Sequence, residues 1–332
     1  METSRAGRQG PGRAVLLGAN GFVGRTIAAG LLDAGWRVTA VVRGAAGPDP
    51  RCTTVRLDAA EEPPESIAAV IAGAELVVNA AGALWGATDA ELDRGNVVLV
   101  ERLVAALAAG AGPVRLVHLG SAFEYGEQPP GPPLTEDLTE HPVSHYARTK
   151  LAATRAITGA VAAGRIDAVV LRISTVIGQW APTQSLLGGL ARQLARDGAA
   201  VEVPPLSGRR DFVDVRDVSD AVLCAATAPG VPPVVNIGGG QAVAVTKVVD
   251  LLIARAGGGG RVVRRPGAAE RRDAGVSARP MDIALARRAL GWAPARSPAE
   301  AIDALWRHTR PEDIGGNAPT PSFAANGDTA DG

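Results

Sequence analysis

The sequence predicts an α/β protein built on a doubly wound parallel β-sheet, with a smaller, mostly C-terminal α/β domain. Two observations predict this fold. Short apolar segments of strand length alternate with helix-length segments through the first half of the 332-residue chain, and a glycine-rich turn joins the first strand to the first helix. Parallel strands are buried on both faces and joined by crossover helices, so continuous apolar runs between helices are typical of them.

The elements follow in order from these patterns. The first strand is predicted over 14–17, the first helix over 23–34 with Gly35 at its end, and the second strand over 37–42. A helix over 93–109 separates two later strands. The remaining strands are predicted at 75–79, 114–119, 168–171, 212–215 and 234–237, and helical segments at 282–306.

The composition changes past residue 178, where proline and glycine become frequent. We expect residues 13–178 and 209–238 to form a cofactor-binding domain. Residues 179–208 and 239–310 would then form the substrate-binding domain. The polar ends, 1–12 and 311–332, are expected to be disordered.

Composition excludes several classes of partner. The chain has 34 basic and 34 acidic residues and no long basic run, so charge does not indicate a nucleic-acid or membrane-surface partner. Cys52 and Cys224 are the only cysteines, which disfavours disulfides and metal sites. No apolar run approaches the roughly 18 residues of a membrane-spanning helix, and a cytoplasmic location is expected.

The turn Gly18–Gly24 follows the first strand and opens the first helix. Gly18 permits a tight turn, Gly21 lets the backbone approach a pyrophosphate, and Gly24 allows close packing of helix on strand. The spacing is Gly-x-x-Gly-x-x-Gly. We expect the turn to bind a dinucleotide through its glycines and its other members Asn20, Phe22 and Val23.

The end of the second strand distinguishes the two nicotinamide cofactors. An acidic residue there would bind the ribose 2′-hydroxyl of NAD(H), but the strand ends in Val42 and Arg43. The planar guanidinium of Arg43 suits a 2′-phosphate. NADP(H) is therefore favoured, with NAD(H) as the alternative.

Tyr146 and Lys150 are four residues apart, which places both side chains on one face of a helix. Free tyrosine has a pKa of about 10. A cation beside the ring is expected to lower that pKa and to make the phenol an acid–base catalyst. The pair predicts a proton-handling site.

With these motifs the chain resembles the extended short-chain dehydrogenase/reductase family, and within it the group that acts on nucleotide sugars. The resemblance spans about residues 13–307. It adds Arg56-Leu57-Asp58, Asn79–Gly82, Ser121–Gly126, Arg209–Val218 and Leu285–Trp292 to the glycine turn and the Tyr146–Lys150 pair.

The resemblance implies a Rossmann domain and a role for several residues. Ser121 would hydrogen-bond the substrate oxygen, Tyr146 would exchange the proton, and Lys150 would also hold the nicotinamide ribose. Asp58 would contact adenine and Arg210 the diphosphate of the substrate. The cofactor would also be lined by Ala80, Ala81 and Gly82. The family resemblance further implies a homodimer.

Two departures from the family pattern bear on the activity. Sugar-nucleotide dehydratases carry an Asp-Glu pair where this chain has Ala122 and Phe123, so water elimination is disfavoured. Ile173 and Thr175 replace a Pro and an Asn found in many relatives. The remaining candidates for substrate contact are Thr175, Glu124, Trp85 and Trp180.

Three functions remain open. The first is an NADPH-dependent reductase of a nucleotide-linked (dTDP-type) 4-keto-6-deoxyhexose, in deoxysugar biosynthesis. The second is an NAD-dependent nucleotide-sugar epimerase, which Arg43 disfavours. The third is a non-catalytic dinucleotide-binding protein, a class that tends to lose the tyrosine and lysine kept here.

Overall fold

The computed structural model describes residues 11–44, 46–110, 112–196, 201–203, 205–257, 262–264 and 278–309. The segments predicted to be disordered lie outside these ranges, apart from Pro11 and Gly12. Within the described ranges, no helix combines the length and apolar character needed to cross a membrane.

The first half of the chain builds alternating strands and helices close to those predicted. They are β1 Arg13–Leu17, α1 Phe22–Asp33, β2 Arg37–Val42, β3 Thr53–Arg56, α2 Pro64–Ile71, β4 Leu76–Asn79, α3 Asp89–Leu92, α4 Leu99–Ala109, β5 Arg115–Ser121, α5 His145–Ala162 and β6 Asp167–Ile173. A π-helix, Asp93–Val98, joins α3 to α4, and a 3₁₀-helix, Ala122–Tyr125, follows β5.

The second half holds shorter elements. They are β7 Thr175–Ile177, α6 Leu186–Ala195, β8 Val201–Val203, β9 Arg209–Asp214, α7 Val215–Thr227, β10 Val234–Ile237, β11 Ala242–Ala244, α8 Val245–Arg255, β12 Val262–Arg264, α9 Ala284–Leu290 and α10 Pro298–Arg307.

Seven strands form one parallel sheet in the order β10-β6-β5-β4-β1-β2-β3. This confirms the predicted Rossmann-like α/β fold. The chain runs outward from β1 to β3, then returns to build β4, β5 and β6 on the other side. The switch point therefore lies between β1 and β4, where such sheets bind ligands at the carboxyl ends of the strands.

Apolar residues on both faces of the sheet explain its strands. In β1, Leu16 belongs to the core beneath α1 and α7, whereas Val15 and Leu17 belong to the core beneath α2, α4 and α5. The helices supply matching apolar residues, such as Ile27 in α1 and Ile157 in α5, both fully buried. Burial of apolar surface stabilises the packing of the three layers by about 25 cal/mol per Å².

A smaller lobe is built from the sheet β11-β9-β7 and from α6, α8 and α10, around its own apolar core. Strand β9, Arg209–Asp214, pairs with β7 and β11 and not with the large sheet. The predicted return to the cofactor-binding domain at residue 209 therefore begins later, at α7. Phe212 explains the difference, because its side chain joins the core of the smaller lobe.

The edge strand β3 is one of the elements that the sequence does not predict. Thr53, Thr54 and Arg56 are exposed, as befits an edge strand with few core contacts. Its polar residues lack the apolar run that marks the central strands.

Candidate active site

The carboxyl ends of β1, β2, β4 and β5 gather the predicted cofactor residues along one edge of the sheet. Gly18 begins the turn after β1 with φ of +75°, a conformation that residues other than glycine rarely adopt. A Cβ there would lie 2.6 Å from the backbone nitrogen of Ala81 in the turn after β4. Gly18 therefore lets the two turns meet.

The N-terminus of α1 is left open for an anion. Gly21 is its N-cap and supplies no side-chain acceptor, and the first turn holds no acidic residue. The buried Oδ1 of Asn20 has no hydrogen-bond partner in the described part of the chain, while its Nδ2 donates to the Ala46 carbonyl (2.7 Å). Uncapped amides and the helix dipole fit the pyrophosphate of a dinucleotide.

Gly24→Ala is expected to damage this turn. A Cβ at Gly24 would overlap the carbonyl oxygen of Gly18 and force α1 away from β1. We expect a loss of about 1–3 kcal/mol in the free energy of unfolding, with weaker cofactor binding, as checked by urea unfolding and cofactor titration. The control is Gly159→Ala in α5, where a Cβ meets nothing within 4 Å. Equal effects at the two glycines would contradict this packing role.

At the adenosine end, Arg43 follows β2 and is exposed. Asp58 follows β3, and its Oδ1 accepts the Ala60 amide (3.1 Å). Since β2 and β3 are neighbours, both residues lie at the end of the sheet beyond the glycine turn. Their positions are compatible with the predicted contacts to the ribose phosphate and adenine.

The turn after β4 is fixed from below by Asn79. Its Oδ1 accepts the Ala81 amide (3.1 Å), and its Nδ2 lies 3.0 Å from Nδ1 of His118 on β5. His118 is fully buried, and burial together with the charge of Lys150 holds its pKa well below 6.5. A neutral His118 accepts the Asn79 hydrogen bond, and Asn79 in turn orients the turn that contains Ala80, Ala81 and Gly82.

The three predicted catalytic residues converge where β5 meets α5. Ser121 ends β5, and Tyr146 and Lys150 share one face of α5, whose N-cap Ser144 accepts the Ala147 amide. The Ser121 side chain is close enough to the Tyr146 phenol to affect its pKa. Lys150 is buried, and its Nζ donates to the Leu119 carbonyl (2.6 Å). The arrangement brings a hydroxyl, a phenol and an ammonium group to one place.

The structure corrects the expected pKa of Tyr146. Burial raises it to about 12, and the charge of Glu124 adds to that rise, while the nearby Ser121 side chain opposes it. Burial also lowers the pKa of Lys150 to about 8, against the stabilising charge of Glu124. Lys150 thus does not make Tyr146 a phenolate here, because desolvation outweighs its charge and its ammonium is turned to a backbone carbonyl. At neutral pH the phenol carries its proton.

The wall beside Tyr146 is apolar. The ring of Phe123 packs edge-on against that of Tyr146, with centroids 5.6 Å apart. Ala122 lines a small crevice together with Thr175, Asp211 and Met281. Neither Ala122 nor Phe123 can exchange a proton, so the site lacks the acid and base that water elimination would need at these positions.

Two predicted substrate residues, Thr175 and Arg210, lie on neighbouring strands of the smaller lobe. Thr175 begins β7 and pairs with Phe212 of β9, so Arg210 lies close along the neighbouring strand. Arg210 is half-buried, and its Nη1 donates to the Arg209 carbonyl (3.2 Å). Thr175 lines the crevice together with Ala122, and Arg210 lies two residues before the Thr175 partner Phe212 on β9.

The tryptophans occupy different surroundings. Trp85 is 45% exposed in the loop after the Ala80–Gly82 turn. Trp180 has φ of +66°, the only positive value among the described residues other than glycine, and its ring lies 5.8 Å from the guanidinium carbon of Arg25. Trp180 therefore joins the smaller lobe to the start of α1, beside the glycine turn.

Glu124 is not placed to contact a substrate directly. It has no exposed surface, its Oε1 accepts the Ser121 amide (2.8 Å), and its Oε2 accepts Nε of Arg172 (3.0 Å). The predicted substrate contact is corrected accordingly, since both carboxylate oxygens already have partners. Glu124 instead caps the 3₁₀-helix together with Ser121.

Two buried polar residues belong to the site although no sequence motif identified them. Asn96, in the π-helix, donates to Thr149 of α5 (3.0 Å) and to the Ala83 carbonyl (3.1 Å), and accepts the Ala83 amide. Arg172, on β6, holds Glu124. The sequence could have indicated both residues, because each is polar at a position that the apolar pattern of its helix or strand assigns to the core.

Comparison with known proteins decides the family. The family model described as NAD dependent epimerase/dehydratase family matches residues 14–238, a range that includes the glycine turn, Ser121, Tyr146 and Lys150. The chain belongs to this family. As a member of the NAD-dependent epimerase/dehydratase family, and of the extended short-chain dehydrogenases/reductases, it has the fold and motifs of NAD(P)-dependent oxidoreductases and epimerases.

Individual family members are similar over most or half of the chain. The dTDP-6-deoxy-L-talose 4-dehydrogenase (NAD(P)(+)) of Kitasatospora kifunensis is 41% identical over 303 residues, covering 89% of this chain and 95% of its own. A UDP-glucose 4-epimerase of Corynebacterium glutamicum is 30% identical, covering 47% and 52%. The solved structure of MoeE5 in complex with UDP-glucuronic acid and NAD superposes with a TM-score of 0.77 at 27% identity, covering 90% and 99%.

Proposed function

We propose that the protein is an NADPH-dependent ketoreductase that reduces the 4-keto group of a dTDP-linked 4-keto-6-deoxyhexose. The observation that carries the proposal is a protonated Tyr146 beside Ser121 and Lys150, next to Ala122 and Phe123, neither of which can exchange a proton. Similarity to the dTDP-6-deoxy-L-talose 4-dehydrogenase across 89% of the chain supports the same substrate class.

Each residue has a distinct part in reduction. Bound NADPH supplies the hydride that reaches the keto carbon. The Ser121 hydroxyl donates a hydrogen bond to the carbonyl oxygen, which polarises it and positions it against Tyr146. Tyr146 gives its proton to that oxygen and becomes a phenolate, and the nearby Lys150 ammonium stabilises the charge. Arg210 would bind the diphosphate from the smaller lobe.

The proposed preference for NADPH predicts the effect of Arg43→Ala. Loss of a guanidinium that pairs with the 2′-phosphate is expected to weaken NADPH binding by about 10- to 100-fold and to leave NADH binding unchanged. Cofactor titration followed by fluorescence measures both. The control is Arg37→Ala, an exposed arginine at the opposite end of the same strand. Equal losses for the two cofactors would mean that Arg43 does not contact the 2′-phosphate.

A substrate panel tests the activity itself. The enzyme is incubated with NADPH and dTDP-4-keto-6-deoxyhexoses of different configuration, and cofactor absorbance is followed. We expect stoichiometric oxidation of NADPH and formation of the corresponding alcohol with at least one sugar. Conversion of a nucleotide sugar to its C4 epimer without net use of cofactor would overturn reduction.

The second candidate function is an NAD-dependent epimerase. It is favoured by the 30% identity to a UDP-glucose 4-epimerase, but over only 47% of this chain. A non-catalytic dinucleotide-binding role ranks below both, because Ser121, Tyr146 and Lys150 are all kept. A homodimer remains a prediction, which sedimentation analysis would test.

A further inference from the structure

A buried ion pair lies directly beneath the proposed catalytic residues. Glu124 and Arg172 are 0% and 1% exposed, and Oε2 of Glu124 accepts Nε of Arg172 at 3.0 Å. Burying two charges is costly unless they are paired and fully hydrogen-bonded, and such a pair is weak evidence for stability by itself. Its place beneath Ser121 therefore calls for a functional explanation.

Three contacts hold the Arg172 guanidinium, and together they fix its orientation relative to Glu124. Its Nη2 donates to Oε1 of Glu140 (2.9 Å), and its guanidinium carbon lies 4.4 Å from the centroid of the Tyr125 ring. The Tyr125 hydroxyl is anchored in turn on Oδ1 of Asn236 (2.8 Å). A planar guanidinium held this way binds a carboxylate in one orientation.

Glu124 in turn contacts the segment that carries Ser121. Its other oxygen, Oε1, accepts the backbone amide of Ser121 at 2.8 Å, and the Ser121 side chain accepts the Phe123 amide in return. This reciprocal capping fixes the residue that ends β5 and begins the 3₁₀-helix. Rotation of the Glu124 carboxylate would therefore move Ser121.

We propose that the Glu124–Arg172 pair is a positioning device for Ser121, Tyr146 and Lys150: it fixes Ser121 through its amide and places a negative charge beneath Lys150. The designation of the three residues as catalytic rests on the proposed function. The effect of the Glu124 charge on the pKa of Lys150 is independent of that function, because it is a property of the folded protein.

Among the charged groups around Lys150, Glu124 has the largest effect on its pKa. From β5 it faces His118, which is neutral because its pKa lies well below 6.5, and on its own helix Tyr146 is a neutral phenol. From the 3₁₀-helix, Glu124 favours the ammonium form, against the burial that lowers the pKa of Lys150 to about 8. Arg172 lies behind Glu124, so it opposes this effect from farther away.

The sequence allows a direct test, because Lys150 and Lys247 are the only lysines of the chain. Isotope-labelled lysine gives an NMR signal for each, with the exposed Lys247 as an internal reference. In Glu124→Gln the amide oxygen can still accept the Ser121 N–H, the amide nitrogen replaces the oxygen that accepts from Arg172, and one charge is lost. We expect the Lys150 titration midpoint to move from about 8 to lower pH by about one pH unit, because the ammonium loses its nearest anion.

The matched control is Glu140→Gln, which removes the same charge from the other side of the same guanidinium. It should leave the Lys150 midpoint at the wild-type value. If Glu124→Gln leaves the midpoint unchanged, or Glu140→Gln shifts it as far, the proposal is wrong. No substrate is needed, so this outcome is independent of the reductase assay.

A second variant covers the case in which Glu124→Gln does not fold. Glu124→Gln combined with Arg172→Gln removes both charges together, and replacing a buried pair by neutral groups is generally tolerated. The Lys150 midpoint should still fall below that of the wild type, by less than in the single variant, because Glu124 is the nearer charge. A midpoint at or above the wild-type value would overturn the proposal.

Discussion

Tyr146→Phe is expected to lower kcat for keto-sugar reduction by about 100- to 10,000-fold while leaving cofactor affinity unchanged. The substitution removes the hydroxyl that supplies the proton and keeps the ring that packs against Phe123 at 5.6 Å. Steady-state kinetics with NADPH and a reactive 4-keto sugar, together with cofactor titration, measure the two effects separately.

Tyr125→Phe is the matched control, because Tyr125 and Tyr146 are the only tyrosines of the chain. It also removes a buried hydroxyl, one that donates to Asn236 at 2.8 Å and takes no part in the proposed reaction. We expect it to cost about 1 kcal/mol of stability and to lower kcat far less than Tyr146→Phe does, because the ring that stacks on Arg172 is kept. Wild-type turnover in Tyr146→Phe would refute the proposed proton transfer.

Arg172→Met is expected to lower the free energy of unfolding by about 3–5 kcal/mol. The variant keeps an apolar side chain of similar length but leaves Glu124, which has no exposed surface, without its cation. Urea denaturation followed by circular dichroism measures the change.

Arg51→Met provides the comparison for Arg172→Met. Arg51 also pairs with two carboxylates, Asp33 and Asp49, but its side chain is 54% exposed. Solvent screens those pairs, so the unfolding midpoint should be unchanged. Similar losses in the two variants would show that burial of the Glu124–Arg172 pair carries no special weight.

The fold was largely predictable because its central strands are buried on both faces and therefore consist mostly of apolar residues. Strands β2 and β10 occupy the predicted ranges, 37–42 and 234–237, and β1 begins one residue earlier than expected. The edge strand β3 was not predictable from apolar pattern, and neither was the pairing of β9 with β7 and β11. Which strand pairs with which depends on distant partners that no local pattern encodes.

The glycine turn and the Tyr146–Lys150 pair were predicted from the sequence alone, because spacing at a strand end or on a helix face fixes where side chains go. Ser121 was predicted through the family resemblance. Only the tertiary structure determined the pKa values of Tyr146 and Lys150. Burial between β5 and α5 raises the pKa of Tyr146 and lowers that of Lys150, opposite to the expectation for the tyrosine. It also turned Glu124 from a predicted substrate contact into the partner of Arg172, 48 residues away in the chain. Desolvation and long-range charge depend on the packing of distant segments, so local spacing cannot reveal them.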